Sequence, residues 1–105
     1  MITREGQFRL QATVAEAFRL SEEALIVIGG RIVVRDREAG RLFATMPWNL
    51  KSWGENIWVA VGGTDGDVSV GVRIASKLST TLIDWGQSAD DIKRFGHWLT
   101  KTPAF

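Results

Sequence analysis

The sequence predicts an α+β fold in the order β-α-β-β-β-β-α, with one antiparallel five-stranded sheet covered by two helices. Three observations predict it. Phe8, Leu10 and Ala12 alternate with Arg9 and Gln11, the period of a half-buried strand. Two pairs of β-rich runs follow, each joined by a short polar stretch that contains glycine. Apolar stripes of helical period, with capping signals, lie between the first strand and these pairs and again at the end of the chain. An antiparallel sheet with an apolar face needs helices to cover it, which joins the three observations into one architecture.

The elements can be justified in order. The first strand ends near Ala12. Thr13 then stands before Val14, Ala15 and Glu16 as a capping box, its hydroxyl placed to accept from an otherwise unpaired amide. Val14, Ala17, Phe18, Ser21, Leu25 and Ile28 recur every three or four residues, while Glu16, Arg19, Glu22 and Glu23 take the other side. Gly29 and Gly30 stop the helix, because glycine accepts the left-handed conformation just past a helix C-terminus. Residues 32–34 and 42–46 flank the polar stretch 36–40 and predict one hairpin. Residues 56–61 and 68–75 flank Gly62-Gly63-Thr64-Asp65-Gly66-Asp67 and predict a second. Ser88 followed by Asp90 and Asp91 reads as the start of a closing helix, where the dipole favours carboxylates. That helix carries Ile92, Phe95 and Leu99 on one stripe and runs to about Thr100, before Pro103.

Composition narrows the function classes. At 105 residues the expectation is a single domain, 1–105, that buries roughly 60 to 70% of the surface of its unfolded chain. A 45% apolar chain with a formal charge of +1 can offset its ordering entropy, unlike a disordered segment. The absence of Cys removes disulfides, thiolate nucleophiles and Cys-based metal sites, and is compatible with a reducing compartment. The first nine residues have no apolar stretch of signal-peptide type, and no run approaches the ~20 apolar residues that span a bilayer, so a cytoplasmic protein is expected. Neither half of the chain is a polyelectrolyte arm.

Catalytic and metal-binding signals are weak. His97 is the single histidine, with no HExxH and no spaced carboxylate cluster to join it; a helix histidine is the favoured reading. Asp65-Gly66-Asp67 lacks the ligand spacing of a calcium loop and reads as a turn. No Gly-x-Ser-x-Gly occurs. Gly29-Gly30 follows a helix, so its amides are not placed to hold a phosphate.

The five Trp residues carry more information. Trp48, Trp53 and Trp58 fall at regular steps across the connection between the third and fourth strands. They read first as core filling and second as the lining of a cleft for an apolar or cyclic ligand or a partner. In the fourth strand Ile57, Val59 and Val61 project to one face, and Trp58 and Ala60 to the other, so both faces are apolar. In the fifth, Val68, Val70, Val72 and Ile74 oppose Ser69, Gly71, Arg73 and Ala75; small residues beside Arg73 leave room for a ligand or neighbour. The segment 76–88 is too long for a tight turn, and loops on rigid scaffolds concentrate function. Asp84 within it reads first as a local acceptor at the start of the last helix. The Trp-Gly pairs at Trp53 and Trp85 are expected to lie near one another at one end of the domain.

The run from Pro47-Trp48 through Ser52-Trp53-Gly54-Glu55, the valine-rich hairpin, and Ser79-Thr80-Thr81-Leu82-Ile83-Asp84-Trp85-Gly86 before a closing helix resembles a family of small bacterial domains of uncharacterised function. Those domains carry SWGE, TTL.DWG and a closing helix in that order. The resemblance covers about residues 14–99. It departs after DWG, where the relatives carry Asn and Arg and this sequence has Gln87, Ser88, Ala89, Asp90 and Asp91. The element order is also similar to the TATA-binding-protein-like and helix-grip architectures, the latter including lipid-binding proteins; this is likeness of fold alone.

The function expected is a non-enzymatic binding or self-association domain, acting through its Trp-rich end or the second face of its sheet, most simply on another copy of itself as a homodimer. The alternative is a small apolar-ligand carrier, lipid-like, with a cavity between the sheet and the C-terminal helix. An enzyme using Asp84 or Glu55 as a base ranks third. A nucleic-acid binder ranks fourth, since phosphate neutralisation dominates that affinity and no basic stripe is present. The candidate ligand- or partner-binding residues are Trp48, Trp53, Glu55, Trp58, Arg73, Asp84 and Trp85. No catalytic residue, metal ligand or cofactor is expected.

Overall fold

The seven predicted elements form in the predicted order in a computed structural model that describes residues 3–46, 54–76 and 87–101. They are β1 (Thr3–Leu10), α1 (Val14–Val27), β2 (Arg31–Asp36), β3 (Arg41–Met46), β4 (Glu55–Thr64), β5 (Asp67–Ser76) and α2 (Gln87–Lys101). The strands make one sheet in the order β1-β5-β4-β3-β2, every neighbouring pair antiparallel. The two hairpins are therefore adjacent, and the first strand closes the far edge against the last.

Two boundaries differ most from the sequence reading, while β2 also runs on to take in Asp36. β1 begins at Thr3 rather than near Phe8, because it pairs with β5 along its whole length, from Thr3 opposite Ala75 to Leu10 opposite Val68. Ala12 falls just beyond the strand, buried in the connection to α1. In the second hairpin Gly62, Gly63 and Thr64 belong to β4, and only Asp65-Gly66 is left as the turn, with Thr64 opposite Asp67. Two-residue Asp-Gly loops match the twist of the strands they join, so the ladder runs further than the polar composition implied.

The first helix starts as its capping box predicts. The Thr13 hydroxyl accepts from the Glu16 amide at 3.0 Å. A partner that is remote in sequence also holds this end: the Val14 amide donates to Asp65 Oδ1 at 2.8 Å, and the Gly66 amide to the Ala12 carbonyl at 2.8 Å. The tip of the β4–β5 hairpin thus satisfies the start of α1. Asp65→Ala is expected to cost about 1 kcal/mol, the usual effect of losing a helix-capping acceptor, and Asp65→Asn less. Urea denaturation of both variants checks this, and equal midpoints for Asp65→Ala and the parent would refute it. At the other end the Gly29 amide donates to the Ile26 carbonyl and the Gly30 amide to the Leu25 carbonyl, with Gly29 at φ +98°. That is the double bond of a Schellman stop, and it needs a residue without a Cβ at Gly29.

Both helices cover the same face of the sheet. Ala17, Phe18, Leu20, Ala24 and Leu25 of α1 and its C-cap residue Ile28 join Phe95 and Leu99 of α2 in one buried cluster with the inward residues of β3, β4 and β5. The predicted core residues Phe18, Leu25, Val59, Val70 and Phe95 are all buried in it. The alternation in β5 holds as predicted, with Val68, Val70, Val72 and Ile74 facing the helices. Helix α2 lies against β1 and β5 at close range. A Cβ on Gly96 would run into the Phe8 ring, and one on Gly6 would come within 2.8 Å of Ile92 Cγ2. Phe8, Ile92, Phe95 and Leu99 therefore occupy the space between α2 and the sheet. The opposite face of the sheet carries no helix among the described residues.

Candidate functional site: a groove on the helix-free face

Strand register assembles this site. Residues of one cross-strand row on the helix-free face run Glu5, Arg73, Trp58, Phe43, Val34, one from each of the five strands, each opposite the next. The adjacent row runs Gln7, Gly71, Ala60, Arg41, Asp36 in the same strand order. The first row is bulky at its centre and the second is small at its centre. A row of large side chains beside a row of small ones leaves a trough, because side chains stand roughly perpendicular to the sheet.

The resulting groove, of about 390 Å³, is lined by side chains of both rows, from Glu5 and Gln7 at the β1 end to Val34 and Arg41 at the other. Its wall is an aromatic pair: the Phe43 and Trp58 rings lie 5.4 Å apart between centroids at 44°. The Arg73 guanidinium extends the stack, its Cζ 4.4 Å from the Trp58 ring centroid. Gln7 lies over Gly71, where any Cβ would come within 2.9 Å of the amide nitrogen. The lining is mainly apolar with a few placed polar groups, the usual constitution of a small-molecule site.

The charges are arranged asymmetrically. The ion pairs among the described residues engage Arg9, Arg19, Arg35, Arg37 and Arg94, and none involves Arg41 or Arg73. Arg73 lies on Trp58 instead of reaching Glu5, its neighbour in the row. Asp36, opposite Arg41, turns its carboxylate to the Ala39 amide at 3.1 Å. The β3 end of the groove therefore presents a guanidinium, while the only lining carboxylate among the described residues, Glu5, stands at the β1 end.

Of the residues the sequence singles out, Trp58 and Arg73 come together here. Glu55 does not: it lies on the face of Ile57 and Val59 and is buried at the start of β4. Trp48, Trp53, Asp84 and Trp85, with the expected proximity of the two Trp-Gly pairs, lie outside the described residues. Sequence reasoning missed Phe43, Arg41, Gln7 and Glu5. Their own strands show only alternation, and nothing local states which residue of another strand each will face. The small residues of β5 beside Arg73 were the one local sign of a depression.

Chemically, the groove can stack on a flat ring and pair with a charged group. Among the described residues no group of His, Cys, Asp and Glu is placed to hold a metal ion. His97 is exposed on α2.

This arrangement defines an α+β protein with two helices on one face of a five-stranded antiparallel sheet and a groove on the other. Solved structures share the fold, among them two that match over nearly their whole length. The chain is similar to TTHA0849 from Thermus thermophilus with a TM-score of 0.63 and 10% identity, over 93% of this chain and 94% of that one. It is similar to Ara h 8.0201 with a TM-score of 0.55 and 13% identity, over 96% and 99% of the two chains. No family model and no curated protein matches the chain. No helix among the described residues is long and apolar enough to cross a membrane.

Proposed function

We propose that this protein is a non-enzymatic binding domain that holds a small ligand in the groove on the helix-free face of its sheet. The observation that carries the reading is the pair of cross-strand rows, in which Arg73, Trp58 and Phe43 form a stacked wall beside the small residues Gly71 and Ala60. A volume of about 390 Å³ accommodates a small molecule. The lack of Cys and the order of its SWGE and TTL.DWG stretches support, within the same proposal, a cytoplasmic domain of the bacterial family they resemble.

The carrier alternative keeps a small ligand but places it between the sheet and α2. Phe8, Ile92, Phe95 and Leu99 already occupy that space among the described residues, which favours the opposite face. A fragment screen by two-dimensional amide NMR tests the choice. Binding fragments are expected to shift the Trp58 indole and the amides of Phe43, Gly71 and Arg73, and Trp58→Ala is expected to weaken them about tenfold or more, as loss of an aromatic stacking partner does. Its melting temperature should stay within a few degrees of the parent, since Trp58 is only half-buried. Shifts confined to α2 and β1 would establish the carrier instead. A dimer in sedimentation whose contact covers Trp58 would replace the ligand with a second copy.

A further inference from the structure

We infer that the ligand class of this groove is a planar aromatic ring carrying a carboxylate, its ring against the Trp58–Phe43 wall and its anionic group on Arg41. The inference rests on the groove being the binding site, and adds the chemistry and the orientation.

Shape supplies the ring. Ala60 forms a flat, shallow floor bounded on the β5 side by the Gln7 amide over Gly71, and the wall beside it is built from two aromatic side chains with a guanidinium laid over one of them. A flat apolar ring fills such a trough with little loss of freedom, and it meets aromatic surface edge to face or offset.

Charge supplies the carboxylate and its direction. A guanidinium is always protonated and presents a planar fork of donors that matches a carboxylate. Two line the groove, and they are not equivalent. Arg73 is held on the Trp58 face and has Glu5 as its row neighbour, so an anion there meets a carboxylate of the same sign. Arg41 has no ion-pair partner among the described residues; its opposite neighbour Asp36 keeps its charge but is hydrogen-bonded to the Ala39 amide and does not line the groove, whereas Glu5 does. It stands next to Ala60 at the end of the groove away from Glu5, beside the apolar Phe43 and Val34. A ligand carboxylate is drawn to that end, and the ring is then left over Ala60, with its far edge against the Gln7 amide that covers Gly71. Gln7, at the other end, can donate to a neutral polar substituent.

Three naphthalene probes of nearly equal shape test this: 1-naphthoate, 1-naphthylmethanol and 1-naphthylmethylammonium, each titrated into the whole protein at low salt and followed by amide NMR. The naphthoate is expected to bind about threefold to tenfold tighter than the alcohol, the range for an ion pair that is partly open to water. The ammonium is expected to bind weakest. Arg41→Gln should bring naphthoate down to the level of the alcohol and leave the alcohol unchanged, with Arg41→Lys between the two because it keeps the charge and loses the fork. Added salt should narrow the difference in the parent only.

Equal affinities for the three probes, or a preference for naphthoate that survives Arg41→Gln, with shifts still at Trp58 and Gly71, would overturn the carboxylate assignment and keep the groove. Shifts from all three probes that avoid the groove would overturn the groove itself.

Discussion

Replacing Phe95 with alanine is expected to destabilise the protein by about 3 to 5 kcal/mol, the range for deleting a buried aromatic ring from a packed core. The ring is fully buried, 6.1 Å from that of Phe8, in the layer where α2 meets β1. The neighbours cannot close over the loss. Gly96 already brings α2 so near the sheet that a methyl group there would overlap Phe8, so the helix has no room to settle inwards along that line. A cavity is left, and its cost adds to the lost transfer of the ring. For a domain of this size, stable overall by about 5 to 15 kcal/mol, the change lowers the melting temperature by roughly 12 to 40 °C. Phe95→Leu, which refills most of the volume, should recover more than half of the loss. Denaturant midpoints of the two variants measure both quantities, and a Phe95→Ala midpoint equal to that of the parent would mean that α2 is not packed as described.

Leu25→Ala is the second large effect, about 2 to 5 kcal/mol by the same two contributions, with Ile26→Ala as its control at no more than about 0.5 kcal/mol. The two residues are sequence neighbours in α1. Leu25 is 0% exposed and Ile26 59%, because a turn of about 100° per residue carries one into the cluster and the other to water. The carbonyl of Leu25 accepts from Gly30, but truncating its side chain leaves that bond in place, so the loss reports packing alone. Similar midpoints for Leu25→Ala and Ile26→Ala would refute the assignment of the helical stripe.

Under the proposed function, binding falls on the outer face of the sheet and stability on the core. Trp58→Ala, Arg41→Gln and Arg73→Gln alter side chains that stand away from the buried cluster, whereas Phe95→Ala and Leu25→Ala act inside it. Binding and stability should therefore separate cleanly in these variants, the first set changing affinity and the second the unfolding midpoint.

How much could be read in the sequence differs between these two faces. The helical stripes, the Thr13 cap, the glycine stop and the alternation of β5 are short-range patterns, each written within one element, and each is found where its spacing puts it. Strand length was less legible, since Gly62, Gly63 and Thr64 have a composition typical of loops and are held in β4 by pairing with β5. Sequence also showed both faces of β4 to be apolar and small residues to flank Arg73, so a need to cover the second face was visible without its partners.

By itself, then, the sequence determined the class of fold, the order of the elements, the face that β4 and β5 turn to the helices and the core positions Phe18, Leu25, Val59, Val70 and Phe95. Only the tertiary structure decided that Arg73, Trp58 and Phe43 form one wall, that Ala60 forms the floor beside it, bounded by the Gln7 amide over Gly71, and that Arg41 rather than Glu55 shares their surface. The physical reason is the range of the interactions involved. Periodicity and capping are set by neighbours a few residues away, but the register of an antiparallel sheet is set by hydrogen bonds and side-chain packing between segments far apart in the chain. A shift of one residue in any strand would turn its groove residues to the other face.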